Sequence, residues 1–251
     1  EKRAQKNIVV MPDTDYVSDG EKAVVLGTGK EDFNIKFNVP ETGIYFARIT
    51  YLTLKTDDSK ILISMNLNGE YPFEEAERIE LFRTYKDDVS DGKFETDKYD
   101  NDIRPSSVEI YRWQQLELSD HNSLYSEPYI FYLKSGENIL SLKSENAIAV
   151  SKIEFFNYDK PESYADYIAS YEKNDVESCI RQEAELIFEK NSDNIYPTYE
   201  KTDAATMPAS ASSTKLNTIG QGNWSAQGQS ISWKADIEKA GLYAISFRVN
   251  Q

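Results

Sequence analysis

The sequence predicts an all-β fold of antiparallel strands, arranged as a sandwich or a barrel. Three observations carry this. Apolar and polar residues alternate over many short segments. Gly, Pro and Asn turns separate those segments. Aromatic residues reach 12%, with 17 tyrosines among 251 residues. Tyr, Phe, Val, Ile and Thr suit a pleated, half-buried surface. That much aromatic area also supports a packed core over disorder.

Phe33, Ile35, Phe37 and Val39 alternate with Asn34, Lys36 and Asn38, the period of a strand with one buried face. Residues 40–43 turn the chain, and 44–54 form a second strand of aromatic and β-branched residues. Residues 56–59 are another turn. Ile61, Ile63, Met65 and Leu67 then alternate up to Asn68-Gly69, a pair that tolerates positive φ. Residues 85–107 are rich in Asp, Lys and Gly and read as a long loop. Tyr111, Trp113, Leu116 and Leu118 open a new strand, and 129–133 give the next. Residues 134–138 turn, and 139–142 and 147–156 close the set. Phe37, Tyr45, Ile63, Trp113, Leu133, Leu142 and Ile153 are the expected core.

The pattern changes after Tyr158. Tyr164, Tyr167, Ile168 and Tyr171 fall at helical spacing between Pro161 and Asn174, which predicts a short helix packed on the sandwich or bridging two modules. The chain then starts again. Residues 230–237 alternate as 32–39 do, and Gly241-Leu242-Tyr243 matches Gly43-Ile44-Tyr45 in phase. The expected organisation is a complete module over 1–158, a helical linker over 159–176 and the N-terminal half of a second module over 177–251. The sequence stops within strand-like residues 247–251, which reads as a fragment of a longer polypeptide. Half a sandwich leaves an apolar face and strand edges uncovered. Residues 180–251 are therefore expected to lean on the first module, pair with another chain or be poorly ordered.

The formal net charge is -15, which repels nucleic-acid phosphates and anionic lipid heads. Neither nucleic acid binding nor direct membrane insertion is expected. With Cys179 the only cysteine, no intrachain disulfide can form. His121, the only histidine, excludes a two-histidine metal site and reads as a solvated turn residue. No enzyme is expected, because no activated nucleophile or phosphate cradle can be assembled. The run from Asp87 to Gly92 lacks the alternating acids of an EF-hand loop and reads as solvated.

The spacings Phe37-x-Val39-Pro40-x-x-Gly43-x-Tyr45, Asn66-Leu67-Asn68-Gly69, Tyr132-Leu133-x-x-Gly136-Glu137-Asn138-x-Leu140-x-Leu142 and Ile153-x-Phe155 resemble the galactose-binding-like jelly rolls, which include carbohydrate-binding modules of families 6 and 35. The resemblance implies a jelly-roll β-sandwich over about residues 5–158 and 180–251. Pro72-Phe73, Arg83, Arg104-Pro105, Trp113 and Asp120 further resemble the paired N-terminal modules of large extracellular solute-binding proteins of sugar-import ABC transporters. That implies a secreted parent anchored at the cell surface, acting with a transporter permease. A structural or protein-interaction sandwich and an accessory region of a glycoside hydrolase are the alternatives.

Such modules often hold a structural calcium through an early Glu and a late Asp. Glu183 and Glu185 resemble the early pair in the second copy; the first copy has Met11-Pro12-Asp13 there and Lys152 near the late position. A glycan site needs an aromatic platform beside hydrogen-bonding side chains. The candidates are Phe82, Arg83, Tyr85, Tyr99, Asp102 and Trp224, with Trp113 expected to be buried instead.

Overall fold

The computed structural model describes residues 3–249 apart from 5, 13–16, 19, 28–31, 56–59, 122–123, 172–178, 204 and 221. The expected turn at 56–59 and the expected helix end at Asn174 lie outside the described residues. In chain order the strands begin with β1 (Ile8–Val10), β2 (Val17–Ser18), β3 (Glu21–Lys22), β4 (Val24–Leu26), β5 (Phe33–Val39) and β6 (Gly43–Thr53). There follow β7 (Ile61–Leu67), β8 (Ile79–Leu81), β9 (Tyr85–Asp87), β10 (Ser107–Glu109), β11 (Trp113–Glu117) and β12 (Ile130–Leu133). Then come β13 (Gly136–Ser144), β14 (Ile148–Phe156), the helix α1 (Tyr164–Ala169), and the short strands β15 (Glu189–Lys190), β16 (Pro197–Thr198), β17 (Thr218–Ile219) and β18 (Ile231–Ser232).

Two antiparallel sheets face each other as a jelly-roll sandwich. One runs β1-β14-β6-β11, with β12 also on β6 and β4 also on β14. The other runs β5-β13-β7-β8. The alternation read from the sequence decides which faces meet: Ile35, Phe37 and Val39 of β5 and Ile61, Ile63, Met65 and Leu67 of β7 all point into the core. Phe37 stacks across the sandwich on Phe155 with ring centroids 5.5 Å apart, and Phe131 meets Phe155 edge-on at 5.7 Å. Burying each such ring contributes about 2–3 kcal/mol.

The turns marked separately in the sequence form one network. Asn68 (φ 57°) and Gly69 (φ 90°) take the left-handed region. Asn68 Nδ2 donates to Asn138 Oδ1 at 2.8 Å, and Asn68 Oδ1 accepts from Ile139 N at 2.8 Å. Asn138 Nδ2 in turn donates to Lys134 O and Gly136 O. The motif residues of both turns therefore hold β7 and β13 in register.

Four expectations are corrected. The segment 85–107 is not wholly loop: it begins in β9 and ends at β10, which pair with each other. Their third partner is β15, distant in sequence, in the small sheet β10-β9-β15-β18. Local composition carries no trace of such a partner. Second, Trp113 is only half-buried. It pairs with Leu52, whose side chain faces outward from the first sheet, so Trp113 joins Ala23, Leu52 and Ala149 in a satellite cluster outside the main core. The other expected core residues are buried. Third, α1 is not buried against the sandwich among the described residues: it has no buried residue, and Tyr164, Tyr167, Ile168 and Tyr171 are exposed. Ser163 caps it by accepting from Asp166 N. Fourth, the strand expected over 230–237 is limited to Ile231–Ser232. Residues 233–249 form no strand.

Candidate functional site

The C-terminal segment leans on the first sandwich at several places, two of them rich in polar contacts. Lys190 in β15 pairs with Tyr85 in β9 and with Ile231 in β18. Its ammonium, with no exposed side-chain area, reaches Asp87 and the carbonyl of Ile195. Burial pushes the Asp87 carboxyl above its usual range, and Lys190 opposes that shift. The second contact is the loop 97–102. Asp102 N donates to Thr214 O, Asp102 accepts from Leu216 N at 2.8 Å, and Lys215 bridges Asp100 and Asp102 at 3.2 and 3.1 Å.

Between β8, β9 and the returning chain lies a groove of about 340 Å³. Phe82, Arg83 and Tyr85 line one wall with Glu80 and His121. The opposite wall is Asn191, Ser192, Asp193 and Asn194, with Gln227 and Gln229. The polar wall is fixed by its own hydrogen bonds. Asn191 donates to Gly228 O at 2.7 Å and accepts from Ser230 N at 2.8 Å. Gln229 Oε1 accepts from Ser225 N and Ala226 N, both at 3.0 Å. Gly228, at φ 75°, is in close approach to the His121 carbonyl, where a Cβ would sit at 2.3 Å. Glycine is required there on both counts.

His121 is not a solvated turn residue. Its side chain is 23% exposed, its ring lies 4.9 Å from Phe82, and Nε2 is 3.3 Å from Glu80 Oε1. The approach of Gly228 covers it, which only tertiary structure brings about.

The six candidate residues divide into groups. Phe82, Arg83 and Tyr85 share the groove. Arg83 is buried and bonded to Glu109 at 2.8 Å, so its charge is already satisfied. Trp224, 37% exposed, starts the loop that forms the polar wall and donates to Gln229 O at 3.2 Å. Tyr99 and Asp102 lie apart from the groove, on the loop clamped to residues 214–216; Tyr99 is exposed, with Lys98 over its ring at 4.8 Å. Sequence reasoning missed Glu80, His121, Asn191 and Gln229. The run Asn191-Ser192-Asp193-Asn194 was the one available signal, since four small polar side chains in sequence mark a tight turn.

The pair Glu183 and Glu185 as placed does not fit a calcium ion. Arg181 holds Glu183 at 2.9 Å, and its charge opposes a cation. Glu185 is buried, and burial, then the charges of Glu183 and Asp102, pushes its carboxyl up to about 7. No group of three acidic, His or Cys side chains able to hold a metal occurs among the described residues. No helix among those residues is long and apolar enough to cross a membrane.

No protein-family model matches the chain, and no curated protein matches it. Several solved structures are similar in part. A family 35 carbohydrate-binding module from Clostridium thermocellum is 16% identical with a TM-score of 0.30, covering 61% of this chain and 92% of that one. The C-terminal domain of EclA, a sugar-binding protein, is 11% identical with a TM-score of 0.28, covering 57% and 83%. A β-glucosidase from Paenibacillus barengoltzii is 14% identical with a TM-score of 0.27, covering 54% of this chain and 10% of that enzyme. The chain thus spans a small part of the β-glucosidase.

Proposed function

We propose that the chain is a non-catalytic, carbohydrate-binding-like accessory region whose groove beside Phe82 takes a glycan. One observation carries the reading: an aromatic wall, Phe82 and Tyr85, faces a wall of amides and hydroxyls from Asn191 to Gln229. Aromatic faces pack on the C–H surface of a sugar ring, and amides fix its hydroxyls. The motif resemblance in the sequence supplies the parent: an extracellular solute-binding protein of an ABC sugar importer, anchored at the cell surface and meeting the permease through its other domains. Residues 177–251 then open a second module of the same kind. An accessory region of a secreted glycoside hydrolase would use the groove in the same way.

A purely structural sandwich is the second reading. It is favoured by the polar wall itself, where Asn191 and Gln229 already bond to their own loop. Calorimetric titration against a panel of neutral oligosaccharides separates the two. The glycan reading expects at least one ligand, weakened about tenfold by Phe82→Ala, the change that losing one aromatic contact implies. No binding across the panel, or full binding by the variant at an unchanged melting temperature, overturns the groove as the site.

A further inference from the structure

A second recess lies away from this groove, on the C-terminal segment. It has a volume of about 620 Å³, and its walls include Arg104, Tyr196, Tyr199, Lys201 and Leu216. The short strand β16, which the two tyrosines flank, is held by Asn217. Asn217 N donates to Thr198 O at 3.0 Å, its side chain accepts from Glu200 N at 2.7 Å, and it donates to Glu200 O and Pro208 O. Arg104 arrives from the opposite side, at the end of the loop that Asp102 and Ile103 fix through Thr214 O and Glu95 O. Both walls are therefore set before any ligand arrives.

The chemistry of this recess differs from that of the groove. The Arg104 guanidinium lies 3.6 Å from the centre of the Tyr196 ring, a distance that requires face-on contact. A guanidinium held flat on a ring keeps its N–H donors in one plane, pointing outward along its edges. Lys201 sits 5.5 Å over Tyr199 and donates to Thr214 Oγ1 at 3.2 Å. Neither cation forms an ion pair among the described residues. Glu200 also lines the recess, with its carboxylate engaged by Thr202 N and Oγ1, so the two cations outnumber the one acid on these walls. The Tyr199 ring is 53% exposed between them.

We propose that this recess is a binding site for an anionic sugar, a pyranose ring carrying a carboxylate or a sulfate. The ring packs on Tyr199, and the charged substituent takes the Arg104 edge, with Lys201 adding a second positive charge. A recess of this size holds one or two sugar rings. The net charge of -15 disfavours a long polyanion, so the ligand is short or a chain end. The site shares the carbohydrate class of the proposed function, but it shares no residue with the groove and stands or falls separately.

The test is a titration of the full chain followed by NMR, with methyl glucuronide, glucose 6-sulfate and neutral methyl glucoside as probes. One or both anionic probes should shift signals at Tyr196 and Tyr199, and the neutral probe should not. Response to the glucuronide alone assigns a carboxylate, and response to the sulfate alone assigns a sulfate. Arg104→Gln and Tyr199→Ala should each weaken binding about tenfold, the effect of losing a charge-assisted hydrogen bond or a stacking face. Because Arg104 also acts on Asp87, Lys201→Gln is the second charge variant, expected to weaken binding a few-fold. Phe82→Ala should leave this binding unchanged, whatever it does to neutral glycans. The proposal is overturned if neither anion binds, if methyl glucoside binds as tightly, or if binding survives both Arg104→Gln and Tyr199→Ala.

Discussion

Residues 33–51 and 231–249 begin alike and end in opposite environments. Each passes through a glycine, Gly43 or Gly241, and places a tyrosine two residues later. Tyr45 Oη donates to Glu41 O at 2.6 Å, and Tyr243 Oη donates to Lys239 O at 2.8 Å, the same contact across the same turn. Beyond the turn the two diverge. Tyr45, Ala47 and Ile49 are 0% exposed, while Tyr243, Ile245 and Phe247 are 38%, 80% and 72% exposed. In the first region β5 lies against β13, and β6 lies between β14 on one side and β11 and β12 on the other. In the second only Ile231 and Ser232 have a strand partner. A turn and its tyrosine form locally. Burial depends on neighbouring strands, and a period-two pattern chooses the face without supplying what covers it.

The largest expected effect sharpens this contrast directly. Phe155 is buried between Phe37 and Phe131, so Phe155→Ala should cost about 3–5 kcal/mol in chemical denaturation. Phe247→Ala, with its ring 72% exposed beside Trp233, should change stability by no more than about 0.5 kcal/mol. A large loss from Phe247→Ala would mean that residues 241–249 are covered in solution and that the contrast is false.

The next effect concerns the join between the regions. Lys190 and Asp87 are buried together, with side-chain exposures of 0% and 2%. Lys190→Met leaves Asp87 buried without its partner and should cost about 3 kcal/mol. The double variant Lys190→Met/Asp87→Leu should recover most of that loss, because no charge is then stranded. If the single variant loosens only residues 180–249 in hydrogen exchange, the two regions open as separate units. If β6 and β14 lose protection equally, they unfold as one.

The sandwich was legible because its strands show their faces in sequence: β5 and β7 alternate, and Asn68-Gly69 and Gly136-Glu137-Asn138 mark the turns after β7 and before β13. Trp113 was misjudged because a single strand does not reveal which face its partner presents; Leu52 decides that from across the sheet. The tyrosines near α1 follow a helical period but stay exposed, so periodicity alone overstated burial. The groove was half legible. Phe82 and Tyr85 stand out as aromatics in a polar stretch, but His121, Asn191 and Gln229 meet them only through the β9–β15 pairing and the close passage of Gly228. Tyr196 and Tyr199 went unmarked, and Arg104 was noted only as part of a motif, for the same reason: they are far apart in sequence and meet only in the fold.

The smallest effect is a pH dependence that arises in the second region. Glu185 is buried there, and its carboxyl titrates at about 7 in place of the ordinary 4.5. The corresponding stretch of the first region is Met11-Pro12-Asp13, of which Asp13 lies outside the described residues. The sign follows from which state gives up its proton first. Below pH 4.5 the group is protonated in folded and unfolded chains alike and costs nothing. Between 4.5 and 7 the unfolded chain ionises and the folded chain does not, so stability falls as pH rises. Above 7 the penalty is complete and constant, on the order of 2 kcal/mol once partial solvent access is allowed for. Glu185→Gln should therefore match the native chain at pH 4 and exceed its stability by that amount at pH 8, in urea unfolding at both values. A variant less stable than the native chain at pH 8 would mean that the ionised carboxylate is wanted in the folded state. Added calcium that stabilised the native chain but not the variant would then identify a cation as the reason, and the early acidic pair would have regained the role its sequence implies.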